Sequence, residues 1–328
     1  MSTTNALRNS PLRLGLVALA AFLASCGGGG EGTVAPPPAV RYFSAASDGV
    51  NDLELWKTDG TEAGTVRVKD INPGPGGSNP FGLTVLNGAL YFSADDGTSG
   101  AELWKTDGTE VGTVRVKDIN PGASNSFPGG FTVFNNALYF SANDGDGANG
   151  RELWKTDGTE AGTVLFKDIF IGASNSSNPG GFTVFNNALY FTADDGTNGS
   201  ELWKTDGTAD GTVLFKDINP GAGGSSAVGF TVFNNALYFR AGDGTNGTEL
   251  WKTDGTAAGT VLFKDINPGP GGGNPFNFTV FNNAVFSNAV YFSADDGTSG
   301  AELWKTDGTE VGTVRVKDIC PGPCSGID

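Results

Sequence analysis

Short runs of apolar and β-branched residues, separated by glycine- and asparagine-rich segments, recur along most of the chain. One unit contains FTVF at 131–134, the pair Asn135-Asn136, and ALYFS at 137–141. Such runs are typical of strands, and the Asn-Asn pair favours the tight turn of a hairpin. Two further runs follow, ELWKT at 152–156 and VLFKDI at 164–169. Because no run has a helical period of hydrophobicity, the unit is predicted to contain four strands.

This unit is repeated six times. The octamer Glu-Leu-Trp-Lys-Thr-Asp-Gly-Thr recurs at intervals of 48, 50, 49, 48 and 53 residues. Four short strands in about 40–50 residues is the size of a propeller blade. The sequence therefore predicts an all-β fold, a six-bladed β-propeller of four-stranded antiparallel blades, with an open β-solenoid as the alternative.

The first unit differs from the others at its start. It begins at Arg41 with the equivalent of the second strand, and no FTVF-like run precedes it. The segment 34–40 could supply a strand, but Pro36, Pro37 and Pro38 make it a poor one because proline cannot donate to the ladder. The first blade is therefore expected to be three-stranded.

Each octamer contributes one tryptophan. One bulky residue per unit is what the stacking of blades requires, so we interpret these side chains as packing between neighbouring blades. The alternative is a row of aromatic platforms for sugars. The six residues are Trp56, Trp104, Trp154, Trp203, Trp251 and Trp304.

The octamers resemble the bacterial ELWxxDGT repeat, over roughly residues 41–319 and at all six copies. This resemblance implies an exported, β-propeller-like module of the cell surface. It brings no catalytic residues with it.

The N-terminus has the pattern of an export signal. Arg8 and Arg13 are followed by the apolar run LGLVALAAFL at 14–23, which is short for a membrane span. The sequence Leu-Ala-Ser-Cys that ends at Cys26 resembles the bacterial lipobox, which implies lipidation of Cys26. An ordinary signal peptide with a chance cysteine is the alternative. Gly27 in place of Asp implies, by the same resemblance, sorting to the outer membrane, with the domain in the periplasm or exposed at the cell surface.

Three segments follow from these patterns. Residues 1–25 are predicted to be a lipoprotein signal peptide, 26–38 a Gly/Pro-rich tether, and 39–328 the six-repeat propeller domain. The two remaining cysteines, Cys320 and Cys324, are expected to form a local disulfide in an oxidising compartment. Two free thiols are the alternative.

Charge and composition exclude several classes of function. The net charge is −16, from 20 basic and 36 acidic residues, so a nucleic acid would be repelled. The chain has no histidine, which excludes Ser-His-Asp catalysis and histidine-ligated metal sites.

Four acidic positions recur in the units, in the first Asp-Gly, before Leu-Trp, in Thr-Asp-Gly-Thr and after the last Lys. We interpret them as acceptors that cap turns, with no cofactor required. The alternative is Ca²⁺, for which carboxylates and loop carbonyls are suited. The loop NDGDG at 143–147 then offers Asp144 and Asp146 as the candidate ligands.

These features predict a lipid-anchored module of the cell envelope that binds a ligand or acts as a scaffold, without catalysis. Its partners would be the membrane, through the lipid, and a glycan or surface protein. The alternative is a carboxylate-based glycosidase or lyase in the propeller channel. An active site requires one unique cluster, and the departures between copies lie far apart in sequence, at Phe170-Ile171, at Arg240 and within 284–289.

Overall fold

The computed structural model describes residues 40–46, 52–145, 149–173, 175–282 and 288–327. Within these ranges the chain forms 23 strands in six antiparallel sheets, and no helix. The first sheet has three strands and each of the others has four, paired in sequence order. This architecture confirms the predicted all-β fold with six propeller-like blades and a three-stranded first blade. Cys26, Asp48 and Asp146 lie outside the described residues.

The strands are short, four to seven residues each. Blades 1 to 3 consist of β1 (Arg41–Ala46), β2 (Leu53–Thr58), β3 (Val66–Lys69); β4 (Phe81–Leu86), β5 (Ala89–Asp95), β6 (Ala101–Thr106), β7 (Val114–Lys117); β8 (Gly129–Phe134), β9 (Ala137–Asn143), β10 (Arg151–Thr156), β11 (Val164–Lys167). Blades 4 to 6 consist of β12 (Gly180–Phe185), β13 (Ala188–Asp194), β14 (Ser200–Thr205), β15 (Val213–Lys216); β16 (Val228–Phe233), β17 (Ala236–Gly242), β18 (Thr248–Thr253), β19 (Val261–Lys264); β20 (Phe276–Phe281), β21 (Ala289–Asp295), β22 (Ala301–Thr306), β23 (Val314–Lys317).

The turn between the first two strands of a blade uses residues with positive φ. In blade 3 these are Asn135 (φ 47°) and Asn136 (φ 61°), and in blade 2 they are Asn87 (φ 50°) and Gly88 (φ 81°). Two consecutive positive φ angles match the type I′ turn, whose twist fits that of the flanking strands. Asparagine tolerates this conformation better than other residues with a side chain, which explains why the Asn-Asn pair recurs.

The hydrophobic core lies between blades rather than within them. Five clusters of buried side chains each join two consecutive blades. Between blades 2 and 3, Tyr91 and Leu103 of one blade meet Phe140 and Trp154 of the next. Since the same positions recur in all the units, one interface is repeated from blade 1 to blade 6.

The first strands of blades 2 to 6 lie beside one another at the centre, in the order β4, β8, β12, β16, β20. A glycine in each of β4, β8, β12 and β16 faces a phenylalanine ring of the next blade. A Cβ at Gly130 would lie 2.9 Å from the ring of Phe182, and one at Gly229 would lie 3.0 Å from that of Phe278. Close approach of these rings therefore requires glycine, which also permits the φ of 71° at Gly130.

The two faces at the ends of the series are more exposed than their internal counterparts. Ile319 of blade 6 is 48% exposed, whereas Ile119 of blade 2 is 4% exposed. On the opposite side of the series, Trp56 of blade 1 is only half-buried. No hydrophobic cluster among the described residues joins blade 6 to blade 1.

Candidate functional site: the central channel

The inner strands surround a cavity of about 800 Å³ at the centre of the blades. Blade 1 lines this cavity with Ser44 and Leu53, because no inner strand covers them among the described residues. Apart from Pro80, which precedes β4, the other lining residues come from the first strands of blades 2 to 5, and they are chiefly phenylalanine, glycine and threonine. None of the described lining residues is acidic. Glycoside hydrolysis by paired carboxylates requires two acids flanking the scissile bond, and this lining does not supply them.

A second cavity, of about 500 Å³, lies where blades 5 and 6 meet the channel. Arg240 and Asn277 both line it. The sequence singled out Arg240 as a departure from the repeat but not Asn277. Comparison of the inner strands could have found it, since Asn277 stands where Gly82, Gly130 and Gly229 stand in other blades.

In blades 1 to 5 the glutamate of the octamer anchors the loop that leads to the next blade. Glu102 is fully buried and accepts hydrogen bonds from the backbone N–H of Ile119 (2.7 Å) and Ser126 (3.1 Å), and from the Ser126 hydroxyl (2.7 Å). Burial raises the pKa of Glu102 to about 7. The hydrogen bonds favour the charged form and lower the pKa, but burial has the larger effect. Burial likewise raises the pKa of Glu152 and of Glu249.

The aspartate of Thr-Asp-Gly-Thr caps an exposed turn. Oδ1 of Asp107 accepts hydrogen bonds from the N–H (2.8 Å) and hydroxyl (2.7 Å) of Thr109. These bonds hold the pKa of Asp107 below its usual range. The turn is closed by the pair Thr106 and Thr113, whose hydroxyl oxygens are 2.7 Å apart. The Thr-Asp-Gly-Thr half of the octamer is thus explained by the needs of its own turn.

The aspartate of the first Asp-Gly also accepts backbone N–H groups. Asp195 accepts from Thr197 and Asn198. The candidate calcium ligand Asp144 accepts from the backbone and side-chain nitrogens of Asn149, at 2.9 and 2.7 Å. Both oxygens of Asp144 therefore have a partner within the chain.

The aspartate after the last lysine behaves differently from the turn caps. In three blades an arginine three residues earlier pairs with it, as Arg115 does with Asp118 at 3.5 Å. In blade 3 that arginine is replaced by Leu165. There, burial and the charge of Asp144 raise the pKa of Asp168.

Three carboxylates in blade 1 form the one group in the described part of the chain with metal-ligand spacing. Ligand oxygens of Asp52, Glu54 and Asp70 all lie within 4.8 Å of one another. Sequence reasoning missed Asp52, which stands where the other blades have a glycine such as Gly100. Glu54 already accepts N–H groups from the following loop, including that of Ser78 at 3.0 Å.

Five of the six tryptophans are buried between blades. Trp104, Trp154, Trp203, Trp251 and Trp304 are 6–8% exposed, and each packs in a cluster with the preceding blade. These rings have no open face for a sugar. Trp56 of blade 1 is half-buried, and its indole N–H donates to the Ala45 carbonyl at 3.1 Å.

Near the C-terminal end of the described chain, Cys320 and Cys324 are joined as a disulfide, with their Cα atoms 5.7 Å apart. The bond spans the loop after β23. A search of the described residues for a helix long and apolar enough to cross a membrane found none.

No protein-family model matches the chain, and no curated protein matches it. Solved structures do match in fold. Two crystal structures of a puromycin hydrolase, one complexed with PGG, align with TM-scores of 0.54 and 0.52 at 14% identity. Prolyl oligopeptidase B from Galerina marginata aligns with a TM-score of 0.49 at 9% identity, over 88% of this chain and 41% of its own.

The puromycin hydrolase alignments cover 89% of this chain and 45% of that chain. This chain thus spans less than half the length of the hydrolase that it matches. At this identity the likeness concerns the fold alone.

Proposed function

We propose that the chain is a lipid-anchored module of a bacterial cell envelope, which binds a ligand at its central channel and does not catalyse a reaction. The observation that carries the absence of catalysis is the lining of the channel. The described lining of its main cavity is apolar and hydroxylic, without a carboxylate. The carboxylates that recur in the units instead hold loops and turns, as Glu102 and Asp107 do.

The anchoring part of the proposal is supported by the N-terminal sequence. The basic residues, the apolar run and the cysteine of the lipobox-like sequence stand in the order that lipidation requires. The resemblance of the octamers to the ELWxxDGT repeat also favours an exported protein. The matched puromycin hydrolase is named as an enzyme, but this chain shares only its fold. Because a fold does not determine a function, we propose binding and not hydrolysis.

Replacement of the proposed lipidated cysteine tests the anchoring. Cys26→Ser should abolish incorporation of a labelled fatty acid and move the protein from the membrane fraction to the soluble fraction. The chain has three cysteines, so a double variant, Cys320→Ser with Cys324→Ser, is the matched control and should keep both the label and the membrane fraction. Label that remains in Cys26→Ser would refute the assignment.

The absence of catalysis is tested on the full chain purified in detergent. When the protein is incubated with a panel of oligosaccharides, it should bind one class of them and release no cleaved product. Products that form with wild type but not with a carboxylate variant would instead establish the glycosidase or lyase alternative.

A further inference from the structure

The cavity between blades 5 and 6 combines one cation with aromatic and polar groups. Its lining includes Phe230 and Thr231 of β16, Arg240 of β17, and Phe276 and Asn277 of β20. A volume of about 500 Å³ is within the range of sites for small molecules. Such sites are mostly apolar, with a few polar groups that orient the ligand.

Two of these residues depart from the repeat, and both departures add polar groups to the same cavity. Arg240 replaces the serine or threonine of the other blades, such as Ser141 and Thr192. Asn277 replaces a glycine. The two residues are 37 positions apart in the chain, and only the fold brings them to one cavity.

Four other arginines of the blades have partners within the chain, and Arg240 differs from these four. Arg67, Arg115 and Arg315 form ion pairs with aspartates. Arg151 donates to the Ser141 hydroxyl and to the Phe127 carbonyl, both at 2.7 Å. In the described part of the chain the side chain of Arg240 makes neither an ion pair nor a hydrogen bond. Its guanidinium is therefore free to bind an anion, and its planar fork matches a carboxylate.

Asn277 occupies a position that is covered in blades 2 to 5 and open in blade 6. In blades 2 to 5 the corresponding glycine is covered by a phenylalanine of the following inner strand. Blade 6 ends the series, and among the described residues no inner strand of a further blade lies beside β20. Asn277 keeps the positive φ, at 58°, and its side-chain amide has no hydrogen-bond partner in the described chain. A donor and an acceptor are thus available beside Arg240.

We propose that this cavity binds a sugar acid, with Arg240 contacting its carboxylate and Asn277 its hydroxyl groups. The phenylalanine rings suit the C–H face of a sugar, and the Thr231 hydroxyl adds a further polar contact. The net charge of −16 disfavours the binding of a polyanion. A small anion can still bind at the single cation of this cavity, Arg240. This inference rests on the binding role proposed above, and it specifies the ligand class.

The test is a calorimetric titration of the full chain, in detergent, with digalacturonate and with the neutral disaccharide galactobiose. Digalacturonate should bind, its affinity should fall as salt is added, and galactobiose should bind at least about tenfold more weakly because a charged hydrogen bond is lost. Arg240→Ser, which restores the residue of blades 2 and 3, should reduce the affinity for digalacturonate at least about tenfold. Asn277→Gly should reduce it by a smaller factor.

Arg151→Ala is the matched control. The guanidinium of Arg151 already donates hydrogen bonds within the chain, and alanine is the natural residue at the same position of blade 2, Ala101. It should bind digalacturonate as wild type does. Equal binding of the two disaccharides, no binding of either, or unchanged affinity in Arg240→Ser would each overturn the proposal. The dipeptide Gly-Phe and its C-terminal amide are titrated as well. If Gly-Phe bound more tightly than both its amide and digalacturonate, the proposal would be overturned, and the ligand would be a peptide carboxylate. The fatty-acid labelling of Cys26 is independent of these results, so failure of the sugar-acid site would leave the anchoring intact.

Discussion

Glu102 shows how one repeated residue connects two blades. Its carboxylate lies fully buried on β6 and receives N–H groups from both ends of the loop that leads to blade 3. Without these donors the charge would be expensive to bury. The octamer therefore keeps a glutamate here because the loop needs an acceptor, and the raised pKa reports the residual cost of burial rather than catalysis.

The pKa of Glu102 predicts a pH dependence of stability. Because its pKa rises from 4.5 to about 7 on folding, the folded state binds the proton more tightly than the unfolded state. The favourable contribution is complete below pH 4.5 and is lost as the pH rises through 7. From pH 5 to pH 8, as the group ionises, the free energy of unfolding should fall by about 1–3 kcal/mol.

Urea unfolding of wild type and Glu102→Gln across this pH range measures that contribution. The variant should show a smaller fall in unfolding free energy, because the titrating group is gone. Asp107→Asn is the control and should retain the full fall, since the pKa of Asp107 lies below this range. A fall of equal size in Glu102→Gln would contradict the assignment.

A single blade cannot bury both of its faces. In blade 3, one face presents Phe140 and Trp154 to blade 2, and the other presents Tyr139 and Leu153 to blade 4. Each blade therefore gains its core from its neighbours, as in other repeat architectures. The end faces of blades 1 and 6 lack that burial. The six tryptophans therefore differ in burial, although the octamers that contain them are identical in sequence.

Alanine substitution at two tryptophans measures this difference. Trp154→Ala should lower the free energy of unfolding by about 3–5 kcal/mol, as loss of a large buried aromatic does. Trp56→Ala should cost about half as much or less, because Trp56 is only half-buried. Denaturant unfolding of both variants provides the comparison.

Trp304→Ala serves as the control at the other end of the series. Trp304 is 8% exposed and packs against blade 5, so its loss should cost as much as that of Trp154. If Trp56→Ala proved equally costly, the faces of blades 1 and 6 would have to meet in solution.

The whole molecule carries a net charge of −16, and many of its recurrent carboxylates have hydrogen-bond donors within the chain. Asp107, Asp195 and Glu102 already accept hydrogen bonds from the chain itself. Turns satisfied in this way do not need a cation to hold their shape. The molecule as a whole is thus expected to be stable without calcium.

Thermal unfolding with and without EDTA tests this expectation, and the melting temperature should be nearly unchanged. A cation present at 100 times its Kd would add about 2.7 kcal/mol, so a bound metal would produce a clear drop. If EDTA did lower the melting temperature, Asp144→Asn and Asp52→Gly would assign the loss to blade 3 or to the cluster in blade 1.

The sequence by itself determined the strands, the blades and the three-stranded first sheet of the described chain, because these depend on local patterns. Asn135-Asn136 fixes a hairpin through its positive φ angles. No FTVF-like run precedes Arg41, and blade 1 has three strands in the part of the chain that the structure describes. Such features need only neighbouring residues, so they can be read without knowledge of the fold.

Tertiary structure decided which departures from the repeat share a site and which faces are buried. Arg240 and Asn277 are distant in sequence and meet only because β17 and β20 line one cavity. Trp56 and Trp154 occupy identical octamers and differ only in whether a preceding blade covers the ring. Burial and the convergence of side chains depend on how blades are placed around the centre, and no local pattern encodes that placement.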